Sequence, residues 1–430
     1  MRDADAAAVS RRGTEALVAA AGTSVALLAQ QLLRGCYGRR VAVVVGPGLN
    51  GADGRVATAW LRARGALVEV VAWDQAPPVL DGYDLVIDAA FGLGCSRPYA
   101  APSVSPGTLI LAVDLPSGVE ADSGELLGSP MRASATLALG AYKPAHFTGP
   151  AADFCGELHF AGLDIVTNFR DGLVEDSDLA TLVHSDRSDH KWKYALQALV
   201  GSTLMPGAAE LVLRGALAGG ASMIRFESRG DVASSVELPP EVVHVKNVEI
   251  DRRCRAVVAG PGLGPDAASW LRDRLSDAPC PVVLDADGLD RSLINDLSPR
   301  NGSWVLTPHE GEFERLTGSP RPTDRFAAVR TLARETGCVV LLKGPRTVIA
   351  NPSGTLRVVT SGTSSLATAG TGDVLSGLLG ATIARGHDPL EAAALAAHLH
   401  GRAGSHVSPY SSASDVVTEV RRLIRALTLL

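Results

Sequence analysis

The sequence predicts an α/β protein of two domains, each built on a doubly wound parallel sheet. Three observations carry this expectation. Short β-branched runs recur along the chain, each ending in polar or Gly residues and most followed by a helical pattern, the rhythm of parallel strands joined by helices. The chain has 430 residues, more than a single core usually organises. Its 45 glycines and 25 prolines suit the many tight turns of such a fold.

In the first half, residues 14–34 are Ala/Leu-rich with helical spacing, and Val41–Val45 reads as a buried strand. Gly46-Pro47-Gly48 follows, then a helix expected near 53–65. Strands are expected at Val68–Ala72, Leu85–Ile87 and Leu109–Val113. Residues 166–190 break the rhythm with polar, acidic sequence. Domains are therefore set at 1–168 and 189–430, with a linker over 169–188. The second half resumes with a helix at 207–219 and strands at Ala256–Ala259, Pro281–Leu284, Trp304–Leu306 and Val339–Leu342. Helices follow from Thr371 and over 389–402.

Composition narrows the function. Aromatic residues make up 4% of the chain and the net charge is −6 without a basic stripe, so no nucleic-acid partner is expected. Cys36, Cys95, Cys155, Cys254, Cys280 and Cys338 form no CxxC pair and read as reduced thiols of a cytoplasmic protein. The opening MRDADAAAVSRR lacks the apolar segment of a signal peptide. No uninterrupted apolar run reaches the roughly 18 residues that span a membrane.

The most informative stretch is Ala369-Gly370-Thr371-Gly372-Asp373-Val374-Leu375-Ser376-Gly377. Small residues lead into an apolar helix, which exposes backbone N–H groups to an anion at a helix N-terminus. Asp373 would repel a bound phosphate, and that placement suits a base for a hydroxyl attacking it. The alternative is a simple Gly/Asp helix cap. Other polar clusters also follow strands. Gly260-Pro261-Gly262-Leu263-Gly264 allows close backbone approach. Asp285 and Asp287 could hold a metal, a ribose hydroxyl or a helix cap, and the sequence does not choose. Thr307-Pro308-His309-Glu310-Gly311-Glu312 sets a His and two acids at a strand end, and Lys343-Gly344 could meet phosphates or form a plain turn.

Taken in order, GPGLG (260–264), LDADGL (284–289), LTPHEGEFERL (306–316), LLKGPRTVIA (341–350) and LATAGTGDVLSG (366–377) resemble the ADP/ATP-dependent NAD(P)H-hydrate dehydratases, of ribokinase-like α/β sandwich fold. The resemblance implies that the 6-hydroxyl of the S hydrate of NADH or NADPH (NADHX, NADPHX) is phosphorylated and phosphate then eliminated. It implies Asp373 as base, Gly370 and Gly372 amides around the phosphate, and Ala209, Gly262 and His309 at the hydrate. It further implies Lys343, Gly344, Pro345, Arg346 and Thr347 along the AMP moiety, with ADP (or ATP) and Mg2+ as cofactors. The chain departs from the family at His190–Ala195, where bulky residues replace a Lys-Gly loop, and at Thr363, near a usual Asn.

In the first half, Gly46-Pro47-Gly48-Leu49-Asn50-Gly51-Ala52-Asp53-Gly54 follows a strand and opens a helix, as a dinucleotide-type turn would. Asp88-Ala89-Ala90-Phe91-Gly92-Leu93-Gly94 and Asp114-Leu115-Pro116-Ser117-Gly118 each set an acid at the end of a buried strand. Three such loops could converge on a cation and a polar substrate, or be separate helix caps. DAAFGLGCSRP (88–98), AVDLPSG (112–118) and Lys143-Pro144 resemble the NAD(P)H-hydrate epimerase domain, a Rossmann-like doubly wound sheet. The resemblance implies K+ at Asn50, Asp88 and Ser117. It implies hydrate binding by Leu49, Asn50, Gly51, Ala52, Asp53, Gly92, Leu93, Gly94 and Asp114, with Asp114 near the proton transfers. Two positions depart from the family's GxGNNGGDG. Leu49 removes a polar partner, and Ala52 adds a Cβ where the backbone passes close or needs positive φ. A homo-oligomer acting on small molecules is expected, bound neither to nucleic acid nor to membrane.

Overall fold

The structure is a computed structural model describing residues 2–429 except 168, 184–188, 233–235, 247–248, 300 and 321. It divides into two compact units, Met1–Phe169 with Thr323–Arg325, and Arg170–Pro322 with Phe326–Leu430.

In the first unit, α1 (Arg2–Arg12) and α2 (Thr14–Leu33) precede β1 (Arg40–Val45), α3 (Leu49–Arg62), β2 (Leu67–Ala72), β3 (Leu85–Ala89), β4 (Leu109–Val113), β5 (Ala135–Leu139) and β6 (Glu157–Ala161). The six strands form one parallel sheet in the order β6-β5-β4-β3-β1-β2. The chain reverses between β1 and β3, so the loops after those strands open on one crevice. By length and composition α2 could cross a membrane. Here it packs on α3 and the sheet, burying Leu17, Ala21, Val25, Leu28 and Leu33.

The third helix starts four residues earlier than expected, at Leu49, because Gly48 is an extended cap and Asn50–Gly54 already wind helically. This corrects the expectation for Ala52, whose φ is not positive. The close approach falls at Gly51, where a Cβ would stand 2.0 Å from the Gly46 carbonyl oxygen.

The second unit holds β7 (Gly172–Leu173), β8 (Ala195–Ser202), α4 (Pro206–Ala218), β9 (Met223–Arg229), β10 (Val242–His244), β11 (Ala256–Ala259), α5 (Ala267–Leu275), β12 (Val282–Leu284), α6 (Arg291–Leu297), β13 (Val305–Leu306), α7 (Glu310–Thr317), α8 (Arg325–Thr336), β14 (Val339–Leu342), β15 (Thr347–Ala350), β16 (Leu356–Val359), α9 (Thr371–Ala384), α10 (Pro389–His406) and α11 (Ala413–Leu427). Its sheet runs β7-β16-β15-β14-β13-β12-β11-β8-β9-β10, antiparallel only at the two pairings of β15. Part of the expected linker is structured, since Gly172–Leu173 pairs with β16 and Asp176–Leu182 packs on α10. The rest of that linker, 184–188, and residue 168 at the first domain's end lie outside the described residues.

Helix α9 is apolar almost all round and correspondingly buried. Its glycines set the approach of its neighbours. A Cβ at Gly377 would lie 2.0 Å from the Val212 carbonyl oxygen of α4, and one at Gly380 would lie 2.2 Å from Val258 of β11. The N-terminus of α9 is thereby fixed at the carboxyl edge of the sheet.

Two candidate active sites

In the second unit the loops after β11, β12, β13 and β14 meet the start of α9. Asp285, just beyond β12 and 2% exposed, is the hub. Its Oδ1 accepts from Lys343 Nζ at 2.8 Å and its Oδ2 from Ser376 Oγ at 2.6 Å. Lys343 also lies 3.7 Å from Glu312 Oε2, and its Nζ sits 3.6 Å from where a Gly372 Cβ would be. One ammonium therefore serves several acids at the mouth of α9. Burial opposes the Lys343 charge, yet Asp285 and Glu312 outweigh it and raise the pKa. Burial first, then the Asp285 charge, push Asp373 up to about 7, with Lys343 pulling the other way. At neutral pH Asp373 is thus divided between its acid and carboxylate forms.

Gly370 caps α9 with φ 90, and Thr371 Oγ1 donates to the Leu366 carbonyl at 2.7 Å. The Gly372 and Asp373 amides fall among the first-turn N–H groups without intrahelical acceptors. His309, Lys343, Gly344 and Gly372 line one cleft with Thr371. His309 caps α7, its Nδ1 accepting from Gly311 N (3.0 Å) and Glu312 N (3.3 Å), while Glu312 accepts from His309 N (2.7 Å). That assignment leaves the proton on Nε2, and the ring is 60% exposed.

Gly262 has φ 66, and a Cβ there would meet Ala208 at 2.7 Å. Ala209 is buried and faces Gly201 instead. Gly264 N donates to Asp287 Oδ2 at 2.8 Å, which ties the glycine loop to the loop after β12. Pro345, Arg346, Thr347 and Gly370 do not line the cleft around Gly372. Thr347 Oγ1 donates to the Gly344 carbonyl at 3.4 Å. Sequence reasoning left the Asp285 role open, gave Glu312 and Ser376 no role of their own within the motifs that contain them, and missed His400. His400, on α10, is buried and held down to about 4, first by burial, while Thr371 backbone contact opposes the shift. No local pattern in its Ala-rich helix marks it.

In the first unit a cavity of about 580 Å³ is lined by Leu49, Asn50, Asp53, Gly92, Leu93, Gly94, Asp114 and Lys143 among others, gathering most expected hydrate contacts. Gly51 and Ala52 do not line it. Leu49 stands 57% exposed at this site. Asp114 has φ 67, uncommon for a residue with a side chain. Its Oδ1 accepts from Lys143 Nζ and from Leu139 N. Buried His146 accepts from Lys143 N (2.9 Å) and reaches the Asp114 carbonyl (2.7 Å), so it fixes both partners. Burial holds His146 down to about 4, hence neutral.

Asp88 and Ser117 are fully buried and meet, with Ser117 Oγ and N donating to the carboxylate at 2.5 and 2.8 Å. Burial raises the Asp88 pKa, and no ammonium or guanidinium among the described residues offsets it. Asn50 Nδ2 donates to the Val113 carbonyl at 3.1 Å, and its Oδ1 lies near Gly92.

A mostly parallel sheet whose loops deliver an acid to a glycine-capped helix N-terminus sets a carboxyl beside amides that can receive an anion, an arrangement suited to phosphoryl transfer, and the first unit adds a doubly wound sheet with its own acidic cavity. Residues 196–425 match the family model described as NAD(P)H-hydrate dehydratase, and residues 14–81 and 74–145 match that described as YjeF-related protein N-terminus. The chain is 36% identical to the bifunctional NAD(P)H-hydrate repair enzyme Nnr of Mycobacterium leprae, over 99% of this chain and 96% of that one. It is 37% identical to the enzyme of the same name from Mycobacterium tuberculosis H37Rv, over 84% and 82%. Among solved structures, the ADP/ATP-dependent NAD(P)H-hydrate dehydratase of Bacillus subtilis, co-crystallized with ATP/Mg2+, superposes with a TM-score of 0.54 at 28% identity, over 61% of this chain and 100% of that one. A ribokinase-like superfamily protein of Enterococcus faecalis shares the fold at TM-score 0.52 and 21% identity, over 61% and 98%.

The chain belongs to the bifunctional NAD(P)H-hydrate repair enzymes. It joins an NAD(P)H-hydrate epimerase domain to an ADP-dependent NAD(P)H-hydrate dehydratase domain.

Proposed function

We propose that Asp373 is the base of the dehydratase reaction. It takes the proton of the 6-hydroxyl of S-NADHX or S-NADPHX as that oxygen attacks the terminal phosphorus of ADP. The amides of Gly370 to Gly372 hold the transferring phosphoryl group, and Mg2+ enters with the nucleotide. The new phosphate ester is then expelled from C6 by the N1 electron pair, a C5 proton leaves, and the dihydronicotinamide is restored. Gly262 and His309 face the hydrate with Ala209 behind, and the Lys343–Thr347 segment carries the AMP moiety. The observation that carries this reading is the Asp373 carboxyl beside both the α9 amides and the Lys343 ammonium, at about 7. Because the base acts ionised, kcat/KM for dehydration is expected to rise with pH through about 7 and level off above it. A flat profile from pH 5 to 8, with the chemical step limiting, contradicts the assignment.

For the epimerase, Asp114 serves the proton transfers at C6, while Asn50, Asp88 and Ser117 hold K+. The donors suit that ion: hard oxygens around a buried carboxylate that lacks a cationic partner among the described residues. R-to-S conversion is expected to fall at least tenfold when K+ is replaced by tetramethylammonium, and Asp88→Asn should erase that difference. Asp114→Ala is expected to abolish R-to-S conversion, followed by chromatographic separation of the epimers. Unchanged conversion in Asp114→Ala would remove Asp114 from the chemistry.

A further inference from the structure

Among the described residues, the epimerase cavity is lined by three carboxyls, one ammonium and the Arg97 guanidinium. Asp53 on α3 and Asp114 after β4 both line it, as does Lys143, and Asp5 of α1 reaches it from a half-buried position. Lys143 commits itself to Asp114, bonding Oδ1 and the Leu139 carbonyl. Asp114 Oδ2 stays on the cavity side, 3.4 Å from where a Gly92 Cβ would be. Asp53 is 5% exposed, and no hydrogen bond or ion pair to its carboxyl is present among the described residues. A buried carboxyl without a partner, facing a second carboxyl that has taken the nearby ammonium, retains its proton.

We propose that Asp53 is the acid of the epimerisation, working opposite Asp114 as its base. The inference rests on the epimerase reading above and assigns the second half of its proton traffic. The Asp114 carboxylate takes the C6 hydroxyl proton, the C6–O pair becomes a carbonyl, and the C6–N1 bond breaks. The electron pair stays on N1, which receives the Asp53 proton. The open-chain aldehyde turns about its C5–C6 bond. N1 then closes on the other face of C6, Asp53 takes back the N1 proton, and Asp114 returns its own to oxygen. No oxidant or co-reactant is consumed. Burial first, and then the Asp114 charge, push Asp53 up to about 8, consistent with a group that carries its proton at neutral pH.

The test is steady-state interconversion of R-NADHX by the full chain without nucleotide, read by chromatography of the epimers. Asn mimics the neutral acid in shape but does not give up a proton. In Asp53→Asn we expect kcat to fall by roughly 10²-fold or more with KM within about twofold of the wild type and a melting temperature no lower than that of the wild type. Asp53→Ser, which removes the acid with a smaller side chain, carries the same expectation should Asn disturb folding. Wild-type kcat with a raised KM in both variants would make Asp53 a binding group only and overturn the inference alone. Failure of the wild-type chain to interconvert the epimers would overturn the epimerase reading and this inference together.

Discussion

Asp373→Asn is expected to lower dehydration by roughly 10³-fold or more while ADP still binds, and to stabilise the second unit at pH 8. The activity loss follows from removing the only group assigned to accept the hydroxyl proton. ADP binding survives because the α9 amides and Lys343 remain, and the loss of a negative charge beside phosphate favours the anion. The stability gain follows from linkage. The folded-state pKa of Asp373 is about 7, well above its ordinary 3.8. Below pH 4 the group is protonated in both states and Asn changes little. Between pH 4 and 7 the unfolded chain releases the proton while the folded chain keeps it, so stability falls. Above pH 7 the full penalty is present, on the order of 2 kcal/mol after allowance for partial solvent screening. Melting curves of Asp373→Asn and wild type should therefore coincide at pH 4 and separate at pH 8, the variant melting higher. Equal curves at both values would mean that Asp373 is not strained in the fold.

Lys343→Met is expected to cost both stability and activity. It leaves the Asp285 carboxylate, 2% exposed, with Ser376 as its remaining side-chain partner. Breaking a buried pair from one side typically costs about 3–5 kcal/mol. Lys343 is itself 20% exposed, so the lower end applies. The same ammonium lowers the Asp373 pKa, so its removal moves the rising limb of the dehydration profile above pH 7. Adding Asp285→Asn removes the stranded charge, and a double-mutant cycle should recover much of the stability without recovering activity. Additive losses in the cycle would show that Lys343 and Asp285 do not act as a pair.

Much of this was legible because strands and loops carry local signatures. The GPGLG loop and Asp285 sit where the β-branched runs of β11 and β12 stop, and that sheet brings them to one edge, while the GTGD run stands out as small residues opening an apolar helix. Long-range pairings left no such mark. Ser376 is 91 residues from Asp285, so nothing local announces their bond. His146 reads as part of a Lys-Pro segment until it is seen bracing Asp114 from behind. His309 stood out in the sequence as a candidate, yet its place as the cap of α7 depends on helix direction. Ala52 is the converse case. The pattern drew attention to the wrong position of the turn, because a helix begun at Leu49 puts the close approach at Gly51.

The central claim is tested most directly by incubating the full chain with S-NADHX and Mg·ADP and following the near-ultraviolet absorbance of the dihydronicotinamide. The absorbance should return with S-NADHX, and with R-NADHX only while Asp114 is intact. No return from the S epimer with either ADP or ATP would contradict the account.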